Sequence, residues 1–468
     1  MTRTATAQSR IQTSLGISML ALVLLSALAF GGNRPVWWSL LAIAAFVILA
    51  LQVVLSLTGP LPSKMQKLFW PSLLFLGVMA WAWVQTLVGL PASLAHPLWG
   101  NVPDAAGAIS ADPGQGRHAV MRLLSYGAIF VILAWTGLDS AQALTVLIVI
   151  ALFSSVLALF GLFAFATGSN PVLGELADPK IVKATFINRN TYATYASFGV
   201  LANLAVALHL ADRRSDSLRD WIEGFFGGIW IFALGVIVCM AAVALTQSRA
   251  GAAAGLIGLV VFLTVRSSGG RWRRFRLLLL LAVAVGFIAL TNANGLMRNY
   301  MMTSSEDSRF VIYPAVVRAI GDRPLLGHGL GTFEDVFRAY IPESAAEAEY
   351  LRAHNTYLEL AFGLGLPAAA VLFFALALIV WRIYRATQLR KHNRVFSCFA
   401  LACIATAGFH SAFDFSLQIP AVAALFAAIL AIGFAQSFSA KGERGRPAVP
   451  LVLNRDLAVD PAPELNAG

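Results

Sequence analysis

Apolar runs of about 20 residues recur along the whole chain, each long enough to cross the hydrocarbon core of a bilayer as a helix. The longest, 225–265, would extend about 61 Å as one helix at 1.5 Å per residue, so it holds two crossings. Its polar break is Thr246-Gln247-Ser248-Arg249, which places the turn. Composition agrees: 58% of the 468 residues are hydrophobic and 12% are charged, whereas a soluble domain carries about 25% charged residues. Mean hydropathy is +0.74. These values exclude a soluble globular domain, a disordered chain, a coiled coil and a disulfide scaffold.

The reading is an all-α, polytopic integral membrane protein with about twelve spans of roughly 20 residues. They are placed at 14–31, 36–57, 69–89, 120–137, 143–166, 191–210, 225–245, 250–265, 276–293, 361–380, 396–411 and 419–437. The first run follows Arg3 and Arg10 as a signal peptide would, but no small-residue cleavage site follows and a second span comes at once. It is read as a retained helix.

Orientation follows from charge. With both termini in the cytoplasm, the inside segments hold the larger share of the 34 Lys and Arg, five of them in the one loop Arg266–Arg276. The net charge of +11 is therefore a topology signal and not a nucleic-acid footprint. Two outside segments are long. Residues 90–119 read as a Pro- and Gly-rich loop. Residues 294–360 form a large periplasmic loop containing short amphipathic helices, one of them at 309–320 with Phe310, Tyr313, Val317 and Ile320 on the face against the membrane. The tail 438–468 is read as disordered.

Cys239, Cys398 and Cys403 lie inside apolar runs, with no spacing that supports a zinc site or a disulfide framework. Gly327–Gly331 has the form GxGxG but follows no strand, and is not read as a nucleotide loop.

Polar groups that could carry chemistry gather between the spans. Arg249, in Ser248-Arg249-Ala250-Gly251, serves either to snorkel to the interface or to grip a phosphate bidentately. The small residues after it let helices pack closely around the site. Thr356 and Glu359 have capping-box spacing, so a helix starts at Thr356 and His354 sits just before its positive end. A neutral histidine there suits a general base, though a surface histidine fits the same pattern. Asn188-Arg189-Asn190 offers donors to sugar hydroxyls or phosphate, or a helix cap. Arg309 opens the amphipathic helix as a second phosphate contact or a plain surface arginine. His410 and Asp414, at i and i+4, read as a structural polar pair.

Together these stretches resemble the O-antigen ligase/O-antigen polymerase superfamily of bacterial membrane glycosyltransferases. The matching segments are Phe186–Asn190, Ser248–Gly251, Asp307–Phe333, Ala353–Gly365 and His410–Ala421. The resemblance divides the chain into N-terminal transmembrane helices (1–180), an O-antigen ligase-like membrane domain (181–437, with loop 294–360) and the cytoplasmic tail. It implies a bacterial inner-membrane enzyme that uses no nucleotide, metal or other cofactor. The donor would be a glycan on undecaprenyl diphosphate. The acceptor would be lipid A–core for a ligase or a carrier-linked glycan for a polymerase. Membrane lipids and other polysaccharide-assembly proteins would be its partners, and nucleic acid would not. Carried onto this sequence, His354 would be catalytic, and Arg249, Arg309 and Arg189 would bind the diphosphate. Asn188, Asn190 and Ser248 would be further substrate contacts. A membrane transporter is the competing class; it would place its polar groups at mid-membrane on broken helices.

Overall fold

The computed structural model describes residues 3–57, 61–212, 225–266, 307–343, 350–390 and 393–438. Among them there are helices and loops but no strand. The principal helices are α1 (Arg3–Leu28), α2 (Pro35–Ser56), α3 (Phe69–Val84), α4 (Pro113–Thr136), α5 (Ser140–Thr167), α6 (Arg189–Ala211), α7 (Trp230–Leu245), α8 (Arg249–Arg266), α9 (Asp307–Asp322), α10 (Thr356–Leu364), α11 (Leu366–Leu389), α12 (Arg394–His410) and α13 (Pro420–Ala435). Eight of the described helices are long and apolar enough to cross a membrane, and α3, α12 and α13 are shorter apolar helices. The expected span 276–293, the basic residues after Arg266 and the tail beyond 438 lie outside the described residues.

Burial sorts the helices into centre and rim. Every residue of α13 except Phe426 is buried, and α6 is buried almost all round. Helices apolar on every side are the ones a bundle encloses. Polar residues within α6 face that interior: Asn203 Nδ2 donates to the carbonyls of Ala151 (3.1 Å) and Gly199 (2.9 Å) and to Ser155 Oγ (3.0 Å). The bonds to Ala151 and Ser155 cross to α5, and such bonds between helices are each worth about 0.6–2 kcal/mol. Helix α2 lies at the rim. Its Val36, Leu40, Ile43, Val47, Leu51 and Val54 form an exposed stripe at helical spacing, which is stable only against lipid.

Small residues set the closest crossings. A Cβ on Gly258 of α8 would lie 2.0 Å from Thr406 Oγ1 of α12, and one on Gly251 would lie 2.5 Å from Ala193 of α6. The small-residue pattern after Arg249 therefore does bring α6, α8 and α12 together, as its composition suggests.

At the Arg266 end of the bundle, arginines add bonds to carbonyls in and just beyond the last turns of helices. Arg394 donates to Val265 (2.6 Å), Arg266 to Leu208 (3.2 Å) and to the Asp212 carboxylate, and Arg382 to Ser437 (2.9 Å).

At the other end a small second core sits outside the bundle. Helix α9 packs Ile312, Ala315, Val316, Ala319 and Ile320 against Phe333, Val336, Phe337 and Phe362. This corrects the sequence expectation for 309–320. The buried face turns on protein, and Val317, assigned to the apolar face, is 55% exposed. Tyr313 is partly buried against this core, and the side chain of Phe310 lies outside the described residues.

The GxGxG segment has a structural task in the same region. His328 N–H donates to Phe362 O (2.9 Å) and Gly329 N–H to Gly363 O (3.0 Å). At Gly327, with φ +68°, a Cβ would stand 2.4 Å from Gly363 O, so only glycine lets these two backbone segments meet.

Helix α4 begins at Pro113, earlier than the expected 120. Asp112 caps it, its Oδ1 accepting from Gly114 N (2.7 Å) and Gln115 N (3.0 Å), and Pro113 fits the first helical position.

Candidate functional site

His354 sits where a loop is fastened to the end of a span. Residues 355–357 bond in turn to the backbone that closes α12. Asn355 Nδ2 donates to Ala412 O (3.1 Å), Thr356 N–H to Ser411 O (2.8 Å), Thr356 Oγ1 to Asp414 O (3.1 Å) and Tyr357 Oη to Gly408 O (2.7 Å). The helix does start at Thr356, but its cap is Asn355, whose Oδ1 accepts from Leu358 N (3.1 Å). Thr356 is occupied with Asp414, and Glu359 reaches back to Ala353 N (2.9 Å), so the expected Thr356–Glu359 capping box does not form.

His354 itself has φ +51°, a left-handed conformation that a non-glycine residue holds only when its surroundings impose it. Tyr313 of α9 donates to its carbonyl (3.1 Å), and the ring meets Phe415 edge-on at 5.0 Å. Its Nδ1 is buried, makes no hydrogen bond among the described residues, and stands 3.8 Å from Asp414 Oδ2.

Asp414 is fully buried. Its Oδ2 accepts from Asn190 Nδ2 (2.7 Å) and its Oδ1 from Phe415 N (2.8 Å). Burial pushes this carboxyl upward, yet His354, His410 and Asn190 beside it outweigh that and hold it below the ordinary carboxylate range. His410 turns elsewhere: its Nδ1 meets Thr194 Oγ1 (2.5 Å) and Ser416 Oγ (3.1 Å). Helix α12 ends at His410, and Asp414 N–H still donates to His410 O (2.8 Å) across the i, i+4 spacing. The carboxylate therefore stands between His410 and His354.

The other expected residues fall at helix starts on this same end of the bundle. Asn188 caps α6, its Oδ1 accepting from Asn190 N (2.7 Å) and Thr191 N (3.2 Å). Arg189, half-buried, is the first residue of α6. Arg249, exposed, is the first of α8. Ser248 Oγ accepts from Gly251 N (3.1 Å) and turns the chain into that helix. Loop 178–183 lies on the same turn, with Val182 N–H on Leu245 O (3.0 Å) and Gln247 on Lys180 O (3.0 Å). Arg309 lies in the first turn of α9; its side chain lies outside the described residues. The starts of α6 and α10 meet at Asp414, and α8 starts against α6 where Gly251 closes on Ala193; positive helix ends grouped in this way suit an anion.

Asp414 was the functional candidate that sequence reasoning set aside. The signal available was its polar, buried position straight after a span, which is expensive unless used.

Residues 234–373 match the family model described as O-Antigen ligase. The match contains Arg249, Arg309 and His354, and stops short of Arg189, Asn190 and Asp414. No curated protein matches the chain. Members of the matched family are glycosyltransferase-like enzymes of lipid-linked glycans. The chain is a multi-pass membrane protein, and what the comparison supports is a likeness of its residues 234–373 to the O-antigen ligase family.

Proposed function

We propose that the protein is a ligase-type glycosyltransferase that moves a glycan from an undecaprenyl diphosphate carrier to a saccharide acceptor at the periplasmic face of the inner membrane. The observation that carries this reading is the buried Asp414 carboxylate 3.8 Å from Nδ1 of His354, beside helices that open with Arg189 and Arg249. A carboxylate facing Nδ1 favours the tautomer with its proton there, which leaves Nε2 to accept a proton. In the transfer, the acceptor hydroxyl oxygen bonds to the anomeric carbon while its proton passes to His354 Nε2. The bond from that carbon to the carrier diphosphate breaks, and the electron pair leaves with the diphosphate. Arg249, Arg309 and Arg189 hold the charge that develops there. Asn188 and Ser248 shape the helix starts that present these arginines, and Asn190 holds Asp414.

A transporter reading loses support because the candidate groups stand at helix termini and not at mid-span. A polymerase would use the same constellation with a carrier-linked acceptor, and one experiment separates the two. Deletion of the gene should leave long carrier-linked polymer and strip it from lipid A–core. Single-repeat products would instead assign a polymerase. Unchanged surface glycans would remove the reading altogether.

A further inference from the structure

Arg122 stands out among the arginines for what it does not bond. It lies half-buried in α4, one turn beyond His118. Both side chains rest on the indole of Trp38 in α2: the guanidinium carbon is 5.5 Å from the ring centroid, and the imidazole is 5.1 Å away at 57°. Yet among the described residues its guanidinium forms no hydrogen bond and no ion pair. Elsewhere in the molecule a partly buried arginine finds acceptors. Arg323 donates to the carbonyls of Gly327, Ala95 and Leu94, and Arg394 to Val265. Five donors held on an aromatic face without acceptors describe a receptor for an anion.

The neighbours leave the charge unbalanced. Arg122 lies within electrostatic reach of Arg352 and Glu359. Glu359 Oε1 is 3.8 Å from Arg352 Nη1, and its Oε2 already accepts the Ala353 N–H. Two guanidiniums therefore lie within electrostatic reach of one partly committed carboxylate, and Arg352 stands two residues before His354. A surplus positive charge at a partly desolvated site calls for a mobile anion.

We propose that Arg122 and Arg352, with Trp38 holding the guanidinium plane, form a second anion subsite that takes a phosphate group of the acceptor. The proposal rests on the reading of Arg189, Arg249 and Arg309 as the donor site. Three arginines already exceed the two negative charges of a diphosphate diester, so two more serve a different anion. Arg352 ties that anion to the loop of the proposed base, where an acceptor must lie. The ligand class is a phosphorylated saccharide; an anionic phospholipid headgroup carries the same chemistry and is the alternative to be separated.

The test uses the full chain in uncharged detergent, with thermal unfolding as readout and glucose 6-phosphate as probe against glucose. Glucose 6-phosphate should raise Tm saturably and glucose should not. Arg122→Gln and Arg352→Gln should each weaken the apparent affinity about tenfold or more, the loss expected for charge-assisted bonds, and Arg249→Gln should leave it unchanged. Should Arg122→Gln fail to fold, Arg352→Gln decides. Wild-type affinity in the variants, absence of a saturable shift, or equal loss in Arg249→Gln would overturn the proposal. So would an Arg122-dependent stabilisation seen only in phosphatidylglycerol nanodiscs and not with the phosphosugar. Failure of the wild type to transfer a carrier-linked glycan would defeat the glycosyltransferase reading while leaving this binding result standing.

Discussion

Asp414 Oδ2 and His354 Nδ1 lie 3.8 Å apart, brought together by a loop and a span end that are distant in the chain. The carboxylate is anchored by Asn190 at the start of α6. One buried acid is thereby shared between the helix that opens with Arg189 and the histidine proposed to activate the acceptor.

His354→Ala should transfer about 10²–10⁴-fold more slowly than wild type, the usual contribution of a general base, while still binding the carrier-linked donor. Asp414→Asn keeps the shape and the acceptor oxygen but removes the charge; it should lose less than His354→Ala. The two should not add in the double variant, since they act through one proton transfer. Single-turnover transfer by purified protein reads all three. Additive losses would separate Asp414 from the histidine's work.

Arg249→Lys preserves charge and loses the planar fork. Transfer should fall while the protein stays folded and monodisperse. Full transfer in the lysine variant would reduce Arg249 to an interfacial anchor.

The loop pair His96–His328 predicts acid sensitivity. His96 Nε2 meets His328 Nδ1 at 2.8 Å, and His328 Nε2 meets Ala319 O at 2.8 Å. His96 Nδ1 accepts from Leu98 N (3.2 Å), so the chain of bonds runs one way through two neutral rings. Burial, then His328 and Arg323, lower His96 to about 3. Burial lowers His328 too, with Arg323 adding to it and Ala319 and Asp322 opposing. Tyr340 lies edge-on to His328 and donates to Asp322 (2.7 Å). Because both folded values lie below the unfolded one, the unfolded chain takes up protons first as pH falls below about 6.5. Stability should therefore be full above that pH and decline toward pH 3, by at most about 1.4 kcal/mol per pH unit for each histidine. Thermal unfolding of His96→Gln should show a shallower decline; an unchanged slope would mean that the pair does not set it.

Gly327→Ala should destabilise more than Gly89→Ala. Both positions have positive φ, at +68° and +81°, but only at Gly327 does a Cβ meet a backbone carbonyl, while nothing lies within 4 Å at Gly89. The conformational strain alone is about 1–3 kcal/mol. Equal melting temperatures would show that the glycine-rich turn tolerates separation from Gly363.

Orientation can be read with added cysteines, because Cys239, Cys398 and Cys403 are all buried. Leu351→Cys and Leu389→Cys introduce thiols at positions 54% and 66% exposed. In intact cells a membrane-impermeant maleimide should label the first and reach the second only after permeabilisation. The reverse pattern would invert the proposed topology.

The spans were legible because lipid imposes a length and a composition on each one independently. The turn at 246–249 and the start of α10 were legible from local polarity. The partnership of Asp414 with His354 was not, since a loop bond between distant segments leaves no periodic mark. The face of α9 was misread for a related reason: with Val317 and Val316 adjacent, the spacing allows two apolar stripes, and only the partner residues Phe333 and Phe337 select the one that is buried. Arg122 gave no warning in a third of the chain without motifs, because its role depends on what it fails to touch.

The bonds that residues 355–357 make to the backbone of 408–414 mean that loop and helix end behave as one heritable piece. A hybrid that borrows the loop from a relative while keeping its own helix end would inherit a histidine without its footing, and one that borrows both should keep it. Natural variation in either segment is then constrained by the other, and the two are expected to change in step.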